Sequence, residues 1–306
     1  MTTVMERVAA GELVIIDGGT GTEIQRRGGV MDDATWCAEA NLQRPDLVRG
    51  VHRAYLEAGA EVIIANTFAT SPLLFATLGR DDEVASIDRA AVRLAREATA
   101  AAGVAAGVAV AGSISTMQPV LAGDDRTDRS RTWTEAEVRE HYRRKAGTLA
   151  EAGVDVLVME MMRDTGPSVW ATEAAMETGL PVWVGLSFEA GPDGGLVGWG
   201  RPECAMDDVI AALTATGPDL VAVMHTSDDD TGPALTAVRS QYRGPLGAYP
   251  ESGRFAMPEW VFVDVIGVDE LVDVTRTWIA QGVTVVGGCC GVGPEHIAVL
   301  AAGLRT

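Results

Sequence analysis

At 306 residues the chain exceeds an ordinary single domain but matches the usual span of a barrel of alternating strands and helices. A formal net charge of −19 would repel phosphate backbones and anionic lipid, so neither nucleic acid nor a membrane is an expected partner. The 47% hydrophobic content supports a sizeable core, yet no apolar run reaches bilayer length, the start MTTVMERVAAGELV lacks a signal-peptide pattern, and four scattered cysteines make no disulfide framework, so the expectation is a cytoplasmic protein.

Eight short β-rich runs follow one another along the chain: LVIID (13–17), EVIIANTF (61–68), VAVAGSIS (108–115), VDVLVME (154–160), PVWVGLSF (181–188), LVAVMHT (220–226), LGAYPE (246–251) and VTVVGGCC (283–290). Amphipathic stretches separate them. In RPDLVRGVHRAYLEAGA, residues Val48, Val51, His52, Tyr55 and Leu56 share one helical face. The polar stretch AGDDRTDRSRTWTEAE (122–137) reads as a long loop after the third strand that enters a helix near Thr134. The only lysine, Lys145, lies in the charged segment EVREHYRRKAGTLAEAG, read as a helix facing water, which argues against Schiff-base chemistry. Eight strand-helix units predict a (β/α)8 TIM barrel, with residues 1–306 as one domain. Barrel sites form at the C-terminal ends of strands, so Asp17, Asn66, Glu160, His225, Glu251 and the pair Cys289 and Cys290 should converge.

Each of these has a chemical reading. In DGGTGTE, Asp17 offers a charge to an ammonium group, and the turn amides of Gly18 and Gly19 can receive a carboxylate; a dinucleotide site is disfavoured because the third glycine of that motif is missing. Glu160 closes an otherwise apolar strand, so its carboxylate needs a cation, from either a substrate or Arg163. The adjacent cysteines of GGCCG (287–291) fit metal ligation, two ordinary buried thiols or a strained vicinal disulfide. His225 is the one histidine that closes a strand, whereas His52, His141 and His296 read as structural or solvated. At one barrel rim, His225, Cys289 and Cys290 make a three-ligand zinc set with an open position, the arrangement of a catalytic metal. Trp36, Trp133 and Trp199 fall in loops, where they wall an onium methyl group through cation-π contact or simply pack over the mouth. Cys37 and Cys204 read as structural.

Through ELVIIDGGTGTE, VHRAYLEAGAEVIIANTF, VDVLVME, PVWVGLSFEAGPDGGLVGWGRPECA, LGAYPESG and GGCCGVGPEHI, the sequence resembles the zinc-dependent homocysteine S-methyltransferase family over nearly its whole length. That resemblance implies that Cys289 and Cys290 ligate zinc and that Asp17 and Glu160 hold the amino-acid part of a thiol substrate. There are departures. His225 stands where the family places a cysteine, and Glu251 stands where many relatives carry an asparagine able to occupy the metal's open position. AGSISTMQP lacks a glycine-proline that often follows the third strand. Trp36 matches a donor-cage tryptophan of the betaine-using branch, but the aromatic beyond its second strand is replaced by Ala69. One imidazole and two thiolates leave zinc neutral instead of anionic, which favours thiol ionisation but weakens the thiolate as a nucleophile. The expected function is methyl transfer from a small sulfonium or ammonium donor, S-methylmethionine- or betaine-like, to a zinc-bound homocysteine-like thiol. Donor and acceptor are thus the expected small-molecule partners, and a homo-oligomer is admitted. The alternatives are a zinc hydrolase working near Glu251 and a non-catalytic amino-acid- or metal-binding relative.

Overall fold

In the computed structural model, which describes residues 2–31, 34–104, 107–121, 128, 130–256 and 261–304, all eight runs form strands of one parallel sheet. They are β1 (Val14–Ile15), β2 (Val62–Ala65), β3 (Ala109–Ser115), β4 (Val156–Met162), β5 (Val182–Leu186), β6 (Leu220–Met224), β7 (Leu246–Tyr249) and β8 (Val283–Val286). From β2 to β8 each strand pairs with the next in the chain, and β8 pairs with β1. A parallel bridge from Ile16 to Val62 joins β1 to β2 and completes the ring. The (β/α)8 expectation is met.

Alternation along the strands divides the core in two. Inward positions, including Val14, Ile16, Ala111, Val158, Trp183, Ala222, Met224, Tyr249 and Val285, fill the barrel. Outward positions such as Ile63, Val110, Leu157, Val184 and Val223 pack under the helices. The short helix Val4–Ala9, started by a capping box between Thr3 and Glu6, adds Val4 and Val8 to the interior cluster. Helix Pro45–Glu57 buries Val48, Val51, His52 and Tyr55 as its periodicity predicts. His52 is wholly buried, and burial alone lowers its pKa to about 4.

Two excursions at strand ends were not legible as strands. After β5 the chain forms a three-stranded antiparallel sheet (Phe188–Ala190, Leu196–Gly198, Arg201–Ala205), and after β7 a hairpin (Arg254–Ala256 with Val261–Val263). These strands are three to five residues long and half-exposed, too short for a period-2 signal to stand out. Residues 122–127 and 129 of the loop expected at 122–137 lie outside the described residues, and the helix it enters starts at Glu135, with Thr134 as N-cap in a capping box with Glu137.

Lys145 corrects the sequence reading. Its helix, Glu135–Ala152, is largely polar outside, yet the Lys145 side chain is fully buried against Asp88, with Nζ 2.9 Å from Oδ2. Periodicity assigns a face but not the neighbour across it, and here the neighbour is an acid in the adjacent helix Val84–Ala101. The amine is desolvated after all, but it is held in an ion pair. Burial pushes its pKa down and that of Asp88 up, while their mutual attraction opposes both. No helix among the described residues is long and apolar enough to cross a membrane.

Candidate active site

The two glycine-rich motifs lock together backbone to backbone. Gly19 N–H donates to the Val292 carbonyl at 3.0 Å, and Gly288 N–H donates to that of Asp17 at 3.2 Å. A Cβ on Gly18 would sit 2.1 Å from the Val292 oxygen, and one on Gly287 2.4 Å from Ile16 Cγ1, so no larger residue fits either position without displacement. Cys289 N–H bonds the Pro250 carbonyl at 2.8 Å, and Ser252 N–H bonds that of Cys290 at 3.0 Å. The thiols are thereby fixed over the ends of β1 and β7. Gly18 and Gly19 both line the cavity, but the Gly19 amide is already bonded and cannot receive a substrate carboxylate as expected.

His225, Cys289 and Cys290 each offer a ligand atom within 4.8 Å of the others. Cys289 Sγ lies 3.8 Å from His225 Nδ1 and 4.0 Å from Cys290 Sγ. Tetrahedral zinc with bonds of about 2.3 Å to sulfur and about 2.0 Å to nitrogen would place such pairs roughly 3.5 to 3.8 Å apart. The two pairs that include Cys289 therefore need a contraction of a few tenths of an ångström to hold a metal of this kind, and the set as a whole, within 4.8 Å, one of up to about 1 Å. The sulfur separation is far beyond a disulfide bond, and all four described cysteines are free thiols. Glu251 Oε2 meets His225 Nδ1 at 3.0 Å and lies outside the three-ligand group. Burial opposes a charged imidazole, but Glu251 and Cys289 outweigh it and lift His225 to about 10, so a cation must displace a proton there. The hydrogen bond with Cys290 and burial push the Cys289 thiol well above its usual range.

A cavity of about 730 Å³ lies on one side of this group, lined among others by Gly18, Asn66, Glu160, Met161 and both cysteines. Asp17 sits beneath it, fully buried. Its Oδ2 accepts the Ile64 N–H at 2.8 Å, while Oδ1 has no partner. Burial, then the charge of Glu160, raises Asp17 well above the carboxylate range. Ser113 Oγ donates to Glu160 Oε2, and burial raises Glu160 to about 7. Arg163, the alternative cation for Glu160, instead lies over Trp199, 5.5 Å from the ring centre, and donates to the Trp199 carbonyl at 3.3 Å. Asn66 lines the cavity, yet its amide is committed: Nδ2 donates to the Cys37 carbonyl and Asn41 Oδ1, both at 3.1 Å, and Oδ1 accepts from Cys37 Sγ at 3.2 Å. Cys37 is buried against Asn66 and also borders the cavity.

A second cavity of about 660 Å³ adjoins the first and shares Trp36, Phe68, Met161 and His225 with it. Trp199, Glu251, Gln118 and Phe262 complete much of its wall. Trp36 and Trp199 belong here, with Trp199 edge-on to His225 at 5.0 Å, whereas Trp133 packs under Arg131 and against His141. The aromatic that Ala69 seemed to remove is supplied one residue earlier by Phe68, 6.1 Å from Trp36. Phe68, Met161 and Phe262 were therefore missed as wall residues, whereas Trp199 was anticipated. Trp36, Met161 and His225, three of the four described non-glycine residues with positive φ (53°, 55° and 43°), all face these cavities. Such strain is retained where surrounding structure forces it and is common at functional sites.

A family model described as homocysteine S-methyltransferase matches residues 14–304. Homocysteine S-methyltransferase 4 of Zea mays is 29% identical, over 97% of this chain and 90% of its own. Betaine–homocysteine S-methyltransferase 1 of Danio rerio is 30% identical, over 97% and 74% respectively. Selenocysteine methyltransferase of Astragalus bisulcatus is 27% identical, over 94% and 91%. Among solved structures, the metallated form of the homocysteine methyltransferase MmuM from Escherichia coli superposes with a TM-score of 0.74 at 24% identity, over 96% of each chain, and shows the same fold.

Proposed function

Because the chain belongs to the homocysteine S-methyltransferase family, we propose that its methylation of a homocysteine-like thiol takes place where the two cavities meet at His225, Cys289 and Cys290, with a small onium compound as donor. The observation that carries this assignment is the arrangement itself. His225 borders both a chamber over the paired carboxylates, which Cys289 and Cys290 also line, and a chamber walled by aromatic rings. The family match favours methyl transfer over the hydrolytic and binding-only alternatives.

In this reading the inner chamber takes the acceptor. The unpartnered Oδ1 of Asp17 and the carboxyl of Glu160 are buried acceptors in need of a cation, and the ammonium of an amino-acid thiol supplies one. Gly18 and the first turn of helix Thr20–Arg26 border the place its carboxylate would occupy. Zinc held by His225, Cys289 and Cys290 would serve as the Lewis acid that lowers the pKa of the acceptor thiol. Glu251 holds the His225 imidazole through the 3.0 Å contact to Nδ1; because Nδ1 is also the nitrogen nearest Cys289 Sγ, a metal bound there would displace this contact.

The outer chamber takes the donor. Trp36 and Phe68 present ring faces to the onium methyl, and a sulfonium or quaternary ammonium suits them equally. The acceptor sulfur attacks the methyl carbon while the donor's carbon–sulfur or carbon–nitrogen bond breaks, its electron pair leaving with a neutral thioether or tertiary amine. The chain contributes mainly by holding the two in line and excluding water. Residues 1–306 would act as one barrel unit, in a reducing compartment such as the cytoplasm that keeps Cys289 and Cys290 as thiols.

Metal analysis of protein purified without added metal tests the assignment, together with His225→Ala and Cys289→Ala. The expected result is about one zinc per chain, lost in both variants. Zinc retained in His225→Ala would remove His225 from the ligand set, and its absence from the parent protein would overturn the centre altogether.

A further inference from the structure

Phe68 does not belong to a strand or helix. It sits in the turn Thr67–Ser71, between β2 and the short helix Pro72–Thr77, and it lines both cavities. What holds this turn is the buried ammonium of Lys145. Its Nζ lies 3.1 Å from the Thr67 carbonyl, 3.2 Å from the Thr70 carbonyl and 2.8 Å from Thr70 Oγ1. Asp88 neutralises it from the far side at 2.9 and 3.0 Å, and Thr70 Oγ1 also donates to Asp88. One turn earlier on the same helix, Tyr142 donates to the Ser115 carbonyl at 2.6 Å and lies 3.2 Å from Ser71 Oγ. Ser115 Oγ in turn donates to the Phe68 carbonyl at 2.7 Å.

A buried ion pair is a weak device for stability, since an apolar pair of the same volume commonly does as well. It is an effective device for capturing buried carbonyls that point at it from several directions, because an ammonium carries three donors on one small centre and the alternative is unpaired backbone. The only lysine in the chain is used this way, facing the turn that carries the pocket aromatic and lining neither reaction chamber. We propose that the Lys145–Asp88 pair is a positioning element that holds Phe68 against Trp36 and so sets the affinity for the methyl donor. The inference rests on the outer chamber being the donor side. Glu160 is coupled to the turn only through Ser113, whose carbonyl accepts from Thr67 Oγ1 at 2.8 Å but whose backbone is also held by the β3–β4 ladder, where it pairs with Val158, so the acceptor side should respond less than the donor side.

The test is the charge-free double variant Lys145→Met/Asp88→Leu, with Phe68→Ala alongside. In the double variant, hydrogen exchange at residues 68–71 should accelerate and the donor KM should rise about tenfold, with a smaller change in acceptor KM and none in zinc content. Phe68→Ala should raise the donor KM at least as far. A donor KM within about twofold of the parent in the double variant, while Phe68→Ala raises it, would overturn the positioning role and leave the donor-side reading standing. No change in Phe68→Ala would overturn the donor-side reading and this inference with it. Parallel loss of zinc, acceptor affinity and donor affinity would mark the pair as general scaffold and also overturn it. If the double variant does not fold, Thr70→Val removes the hydroxyl's contacts with Lys145 Nζ, Asp88 and the Thr67 carbonyl and keeps the ion pair; a donor KM raised about threefold supports the proposal, and an unchanged one overturns it.

Discussion

Replacing Glu160 by glutamine separates what this carboxylate costs the fold from what it gives the ligand. Burial lifts its pKa from the ordinary 4.5 to about 7, against the opposing effects of the Ser113 hydrogen bond and the charge on His225. The folded protein therefore holds this proton more tightly than the unfolded chain does. Its stabilising contribution is complete below pH 4.5 and is withdrawn as pH rises through about 7. At about 1.4 kcal/mol per pH unit, the displacement amounts to about 3 kcal/mol lost by pH 8. Glutamine keeps an oxygen to accept the Ser113 hydroxyl and has no proton to lose. In urea titrations of chelator-treated protein, Glu160→Gln should match the parent near pH 5 and exceed it by about 2 to 3 kcal/mol at pH 8. The same variant should bind the acceptor thiol more weakly, because the ammonium loses half of its counter-charge. A variant equally stable at both pH values, or less stable than the parent at pH 8, would refute the argument that this carboxyl is held at a cost for the ligand's sake.

Asp17→Asn retains a side-chain oxygen for the Ile64 N–H but removes the deeper charge. Acceptor KM should rise roughly 100-fold with little loss of stability, measured by steady-state kinetics and urea unfolding, and an unchanged KM would exclude Asp17 from the ammonium site. Trp36→Ala should raise donor KM about tenfold and spare acceptor KM, the effect of losing a desolvated cation-π wall. Gly287→Ala would press a methyl to 2.4 Å from Ile16 Cγ1 and 2.8 Å from the Asp17 carbonyl, so about 1 to 3 kcal/mol of stability and most bound metal should be lost together, read by urea unfolding and metal analysis. Metal uptake near pH 8 should release at least two protons, one each from His225 and Cys289, measured by calorimetry in buffers of different ionisation enthalpy. Release of only one would mean that one of the two is not a ligand.

Much of the barrel could be read along the chain because its strands are local patterns. Eight apolar runs bounded by glycines or chemistry-bearing residues became the eight strands, and the runs ending at Asp17, Glu160, His225 and Cys289 do bring those residues to one rim. The cysteine pair and the lone strand-closing histidine were legible for the same reason, since ligand type and strand position suffice to place them. The departures arose wherever a residue's role depends on its partner. Asn66 and Gly19 have the right position for substrate, but Cys37, Asn41 and Val292 have already taken their hydrogen bonds.

By itself the sequence determined the eight barrel strands and the rim on which the candidate ligands meet, because each follows from residue type at a given spacing. Only the tertiary structure decided that Lys145 points inward to Asp88, that Phe68 replaces the aromatic missing at Ala69, and that Glu251 pairs with His225. These depend on which atoms lie within hydrogen-bonding or van der Waals reach across more than ten residues of intervening chain. The energies that select such contacts, desolvation above all, belong to the packed interior and leave no periodic trace along the chain.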